Sequence, residues 1–298
     1  MMARTKIEWC TDVWNPITGC VAVSEGCQNC YAKGFAWRFW GERRFGEVRL
    51  HEDRLEQPLH WKRPRRVFVD SMGDLWHPDV QEIWLDVVFE MMSLAKRHTF
   101  LILTKRPRRA LEWFRKWAER NNWPENVWLG TSIESQRWVD QRLPALLEIP
   151  VNLFVSMEPL IGPVHSLSWA QHADGWYMNG LQGVNWKPNM ADWEFGCNRL
   201  RWVIVGGENG SGARPIHPQW VRTIHKECKA YGVPLFFKGW GEWAPGSELR
   251  GMSDELSGLN LQHTSNYFWP DGEVSYAVGR SKSGRRLDGV EWLEMPEF

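Results

Sequence analysis

Short apolar runs alternate with longer segments of helical period along most of the chain. The runs Val67–Val69, Phe100–Leu103, Val127–Leu129, Asn152–Val155, Trp202–Val205 and Pro234–Phe237 are near-continuously hydrophobic. That pattern predicts strands buried on both faces. A further strand is expected near Lys6–Glu8. Between the runs, Val80–Arg97 repeats Ile83, Trp84, Val87, Val88, Met91 and Met92 at helical spacing. Arg108–Arg120, Ser135–Leu147 and Pro218–Tyr231 also read as helices. Strand and helix in alternation predict an α/β fold with a parallel sheet. Right-handed crossovers would curl such units into a partial or full TIM-like (β/α) barrel. An open doubly wound sheet is the alternative.

Each apolar run ends in small or polar residues, and chemistry in parallel α/β folds sits at those carboxyl ends. Two segments break the repeat. Residues 163–200 hold Trp169, Trp176, Tyr177, Trp186 and Trp193 without a period. They read as an aromatic-rich insertion, a lid or a packed loop, within a barrel over residues 1–240. Residues 241–298 read as a Gly-rich, acidic extension packed on the barrel, with a hairpin around Trp269-Pro270-Asp271-Gly272.

Composition narrows the class. With 298 residues, 43% of them hydrophobic, the chain can bury a large core, which excludes a disordered chain or a disulfide-stapled miniprotein. Formal charge is zero, so net charge gives no argument for a polyanionic partner. Its distribution is uneven: residues 96–120 carry nine Lys/Arg against two acids, and residues 241–298 carry ten acids against five bases. No apolar stretch is long enough for a membrane span, and the N-terminal residues lack a signal-peptide pattern. A reducing, cytoplasmic location is expected, where a tight cysteine cluster points to a metal or to catalysis.

Cys20, Cys27 and Cys30 form such a cluster, C-x6-C-x2-C. Thiolates bind soft metals and iron–sulfur clusters. Three cysteines on a four-iron cluster leave one iron open to an outside ligand. Zinc would want a fourth protein ligand, which Cys10 or His51 could supply. Cys197 and Cys228 carry no spacing signal, and Cys228 on its helix reads as a small buried apolar residue. The Gly-rich stretch Gly206–Gly212 fits neither a dinucleotide fingerprint nor a phosphate-binding P-loop.

The motifs Lys6–Pro16, Gly19-Cys20, Cys27–Ala32, Asp74–His77, Leu103–Pro107, Val155–Leu160, Val205–Glu208 and Phe237–Gly241 occur in order over nearly the whole chain. In them the chain resembles the phage- and prophage-associated three-cysteine-motif proteins, a family of unknown function similar to radical S-adenosylmethionine (SAM) enzymes. The strand-end motifs are also similar to the spore photoproduct lyase branch. The resemblance implies a barrel of the radical SAM type with a [4Fe–4S] cluster on Cys20, Cys27 and Cys30. It implies SAM on the open iron, cleaved by one electron from an external donor to a 5′-deoxyadenosyl radical that takes hydrogen from substrate. Two departures stand out: the commonest cysteine spacing in the superfamily is C-x3-C-x2-C, and Gly206-Gly207-Glu208 comes later than the superfamily's early Gly-rich stretch.

Strand order then distributes the expected roles. Tyr31, Ser71, Asp74, Thr104, Ser132 and Glu134 are expected to bind cofactor, with Ser71 and Asp74 at the SAM amino group and Ser132 and Glu134 at the ribose. Lys105, Glu158, Glu208 and Lys238 are the catalytic candidates, and His77 is a further pocket candidate. Basic residues at Lys105, Arg106, Arg108 and Arg109, and at Arg43, Arg44, Lys62, Arg63, Arg65 and Arg66, suit nucleic acid, as does the abundance of aromatics. The expected substrate is a nucleobase or DNA. The alternatives are a small molecule or peptide, or a non-catalytic metal module that docks a phage-encoded or host partner.

Overall fold

The structure is a computed structural model that describes residues 5, 7–168, 170–171, 177–186, 194–195, 197–249 and 264–298. Seven parallel strands pair in chain order: β1 Asp12–Trp14, β2 Arg66–Val69, β3 Thr99–Thr104, β4 Val127–Ser132, β5 Asn152–Met157, β6 Leu200–Val205 and β7 Leu235–Phe237. The order never reverses, so there is no topological switch point and the doubly wound alternative fails. The sheet is a curled half-barrel. Among the described residues β1 and β7 do not pair, so the barrel is partial.

Alternation along each strand sorts the core in two. Val67, Ile102, Leu129, Val155, Val203 and Phe237 face the helices. Phe68, Leu101, Trp128, Phe154, Trp202 and Phe236 fill the concave interior. Helices α1 Tyr31–Phe39, α2 Glu82–Leu94, α3 Pro107–Ala118, α4 Gln136–Leu147 and α5 Pro218–Tyr231 lie between the strands in sequence. Local chemistry sets their ends. Pro107 and Pro218 stand in the first turns of α3 and α5, and the His217 side chain accepts from Gln219 N–H. Gly232, in the left-handed region, ends α5.

The first strand lies at Asp12–Trp14 rather than near Lys6–Glu8, where Glu8 is in a turn. Ile7 and Trp9 instead pack on the interior cluster. The insertion lies between β5 and β6. Its described residues form a small antiparallel sheet and pack on the helix layer. Glu227 of α5 accepts from Ser166, Leu167 and Ser168, and Asn179 donates to Tyr231. Asn198 donates to the carbonyls of Ile149 and Val151, just before β5. These contacts sit beside α4 and α5 and the entry to β5, so the described part is no lid over the strand ends. Trp169, Trp176 and Trp193 lie outside the described residues.

The extension carries a three-stranded antiparallel sheet whose Asn266–Phe268 and Val274–Tyr276 form the expected hairpin. Its last residues return to the barrel. Phe237 N–H donates to the Trp292 carbonyl, Glu294 N–H donates to Leu235, and Phe236 bridges Leu293 antiparallel. Phe298 then packs on Trp128 and Trp202, with ring centroids 5.1 and 5.6 Å away. No helix among the described residues is long and apolar enough to cross a membrane.

Candidate functional site

The carboxyl ends of the strands bring together nearly every expected polar residue, and the cysteine loop crosses above them. Lys105, just past β3, is the hub. Its Nζ lies 2.5 Å from Glu134 Oε1, 3.2 Å from Ser24 Oγ and 3.5 Å from Cys27 Sγ. Glu134 follows β4 and is fully buried. It also accepts from Ser24 Oγ at 2.6 Å and from Arg142 at 2.7 Å. Burial opposes its charge, but Lys105 and Arg142 hold its pKa below the usual value. Gly26 rests directly on this carboxylate: a Cβ there would stand 2.5 Å from Glu134 Cγ. The loop therefore needs glycine between Cys20 and Cys27.

Arg106 makes the second anchor. Its guanidinium donates to Asp74 Oδ2 at 2.8 Å, to the Val21 carbonyl at 3.1 Å and to Cys20 Sγ at 3.6 Å. Asp74 also accepts from Trp76 N–H, Thr104 Oγ1 and Lys105 N–H. Four other side chains fasten the loop. Trp138 donates to Glu25, Arg214 donates to the Glu25 carbonyl, Asn29 donates to the Gly212 carbonyl, and Tyr31 donates to the Ser71 carbonyl at 2.7 Å. Arg214 is itself held by both oxygens of Glu208, at 2.6 and 2.9 Å.

These contacts revise several expected roles. Both oxygens of Glu134, Asp74 and Glu208 accept from cations or N–H groups, so these three carboxylates fix the loop and its neighbours. Thr104 is committed to Asp74. Ser71 bonds Asn15, and its carbonyl receives Tyr31. Ser132 is buried at the end of β4, and its carbonyl accepts from Arg142. His77 is buried, and its Nδ1 accepts from Asp79 N–H. The basic run after β3 is not a free phosphate rim: Lys105 and Arg106 are tied inward and Arg109 donates to the Val80 carbonyl, leaving Arg108 exposed. In the second basic group, Arg65 pairs with Asp12 and Arg66 stacks over Phe298.

Glu158 and Lys238, past β5 and β7, are different. Lys238 Nζ donates to both Glu158 oxygens at 2.6 and 2.7 Å, and both side chains line a cavity of about 320 Å³. Asn209, Arg280, Arg285 and Glu8 are among the polar residues that line it with them. A larger cavity of about 1140 Å³ lies at the amino ends of the strands, beside Thr99, Asn152 and Phe298. It holds none of the expected site residues.

The sulfurs are not equivalent. Burial and the nearby Asp74 push Cys20 up to about 11. Burial also opposes the Cys27 thiolate, yet Lys105 and hydrogen bonds from Val23 and Ser24 bring it below its ordinary 9.0. Cys30 precedes the first residue of α1. Among the described residues, no three His, Cys, Asp or Glu side chains gather closely enough for one metal ion. Cys10 points to the Ile7 carbonyl, and His51 bonds Thr18. Cations stand beside Cys20 and Cys27, where they offset thiolate charge. Cys197 donates to the Val184 carbonyl, and Cys228 is buried in α5.

Sequence reasoning missed Ser24, Arg142, Arg214 and Trp138. Ser24 stands between the first two cysteines, and that position was its only signal. A family model described as a protein of unknown function, DUF5131, matches residues 4–296. No curated protein and no solved structure matches the chain.

Proposed function

The chain belongs to the DUF5131 family, whose description carries no activity, and from its site we propose a radical SAM enzyme acting on a nucleobase or nucleic acid. The observation that carries this reading is the clamping of a three-cysteine loop over the carboxyl ends of a partial (β/α) barrel, with Lys105 and Arg106 against two of the sulfurs. Cys20, Cys27 and Cys30 would hold a [4Fe–4S] cluster, and the Tyr31 and Ser71 pair beside Cys30 would lie next to SAM on its open iron. When bound, this pair supplies one-electron cleavage of SAM to a 5′-deoxyadenosyl radical.

The chain's own residues do the rest. Lys105 favours the Cys27 thiolate, and Arg106 opposes the rise that burial gives Cys20. Glu134 and Asp74 hold those two cations in place, so the loop keeps one geometry. Lys238 Nζ donates to both Glu158 oxygens at the wall of the 320 Å³ cavity, where a polar substrate group can exchange partners with it. An external one-electron donor is required. The size of that cavity also favours a second reading, a free small polar substrate.

Anaerobic reconstitution with iron and sulfide, followed by dithionite and SAM, tests the proposal. Release of 5′-deoxyadenosine is expected, and it should disappear in Cys20→Ala, Cys27→Ala and Cys30→Ala. A four-iron protein that releases none, with an EPR spectrum unmoved by SAM, would sink the enzyme reading in favour of a docking module. Salt-dependent DNA binding separates the two substrate classes.

A further inference from the structure

Helix α1 leaves the cysteine loop and turns only small residues inward, Ala32 and Ala36. Tyr31, Phe35 and Phe39 recur every four residues and so form one stripe. They are 63%, 51% and 61% exposed, and Trp37, on another side of the helix, is 85% exposed. Phe35 and Phe39 already touch, with centroids 4.5 Å apart. A run of exposed rings this dense on a folded surface marks a binding face. It starts at the site, because the Tyr31 hydroxyl is held by the Ser71 carbonyl beyond β2.

Charge selects the occupant. Residues 31–45 carry Lys33, Arg38, Arg43 and Arg44 against the single acid Glu42. Arg43 is committed to the Thr18 and Glu47 carbonyls and stacks on Trp40. Lys33, Arg38 and Arg44 are exposed. A protein-binding core excludes charge and mixes in aliphatic side chains. Here the rings alternate with cations, and α1 has no aliphatic residue larger than alanine. Flat rings interleaved with cations match unpaired bases and the phosphates between them. A duplex hides its base faces and offers the rings nothing to stack on.

We propose that the exposed face of α1 is a stacking platform for single-stranded nucleic acid, leading it to the cysteine-loop rim. This rests on the nucleic-acid reading above and narrows it to an unpaired strand. It also explains where phosphate contacts come from, since the cations after β3 are tied inward.

The test is fluorescence anisotropy of the full chain, before and after cluster reconstitution, with a labelled oligothymidine and a hairpin duplex of equal length. Single strand should bind at least ~10-fold tighter than duplex, and the Phe35→Ala/Phe39→Ala double variant should lose on the order of 10- to 100-fold, as stacking of one or two bases predicts. Arg38→Glu should weaken binding and flatten its salt dependence. These side chains are exposed, so circular dichroism should be unchanged. Equal affinity for duplex and single strand, or wild-type affinity in the double variant, overturns the proposal. So does self-association in sedimentation velocity that the double variant abolishes while no oligonucleotide binds, which would make the face a contact with a second copy. Release of 5′-deoxyadenosine without nucleic acid should persist in the double variant. Strand binding without any such release would retain the platform and refute the radical reading.

Discussion

At the carboxyl ends of β3 and β4, Lys105, Glu134 and Arg142 meet within 2.5 to 2.7 Å in a nearly dry setting. At the amino ends of the same strands, Thr99 and Trp128 border an open cavity of about 1140 Å³, plugged in part by Phe298. Ions removed from water must each find a partner, whereas a solvated floor tolerates loose fit. The molecule therefore places its buried ions where one loop has to be held in one geometry. The floor holds together by ring packing, which constrains position less.

The sharpest way to break the comparison is to act on both ends. Cys27→Ala should remove the reconstituted cluster and all SAM cleavage, while Phe298→Ala at the floor should keep full iron content, read by iron and sulfide analysis. Next comes the hub. Glu134→Gln leaves Lys105 and Arg142 facing each other without their counter-ion, and urea denaturation should show a loss of about 3–5 kcal/mol. Breaking the exposed Lys116–Glu82 pair should cost less than about 1 kcal/mol.

Acid should act on the same group. The pKa of Glu134 is depressed in the folded chain, so its stabilisation is complete above its ordinary 4.5 and is lost as pH falls through the depressed value. Unfolding free energy should thus drop more steeply below pH 4.5 in the wild type than in Glu134→Gln. Within the rim, alkylation of the cluster-free protein near pH 8 should modify Cys27 before Cys20, as mass spectrometry of partial reactions would show. At the floor, Phe298→Ala should cost about 1 kcal/mol, the worth of its contacts with Trp128 and Trp202.

Much of the fold was legible because strands buried on both faces leave apolar runs such as Phe100–Leu103. Strand β1 was not, since Asp12-Val13-Trp14 is too short and too polar to make one. Around the site, the strand ends could be read, and so could the neighbours they would have. Partnership could not. Nothing in the local sequence says that Glu134 takes Lys105 from one strand end and Arg142 from its own helix, or that Arg214 carries Glu208 to the loop. Those choices depend on loop paths that have no period. The insertion was illegible for the same reason: its aromatics lack a pattern that says which layer they cover.

The return of Trp292–Glu294 to the edge of β7 has a consequence for synthesis. Those residues follow β7 by more than fifty positions, so a chain emerging from the ribosome completes all seven strands while the edge of the last one stands open. An unpaired edge of this kind is where nascent chains stick to one another. Trp292–Glu294 close it only once they have emerged, so until then the last strand of the barrel keeps an open edge.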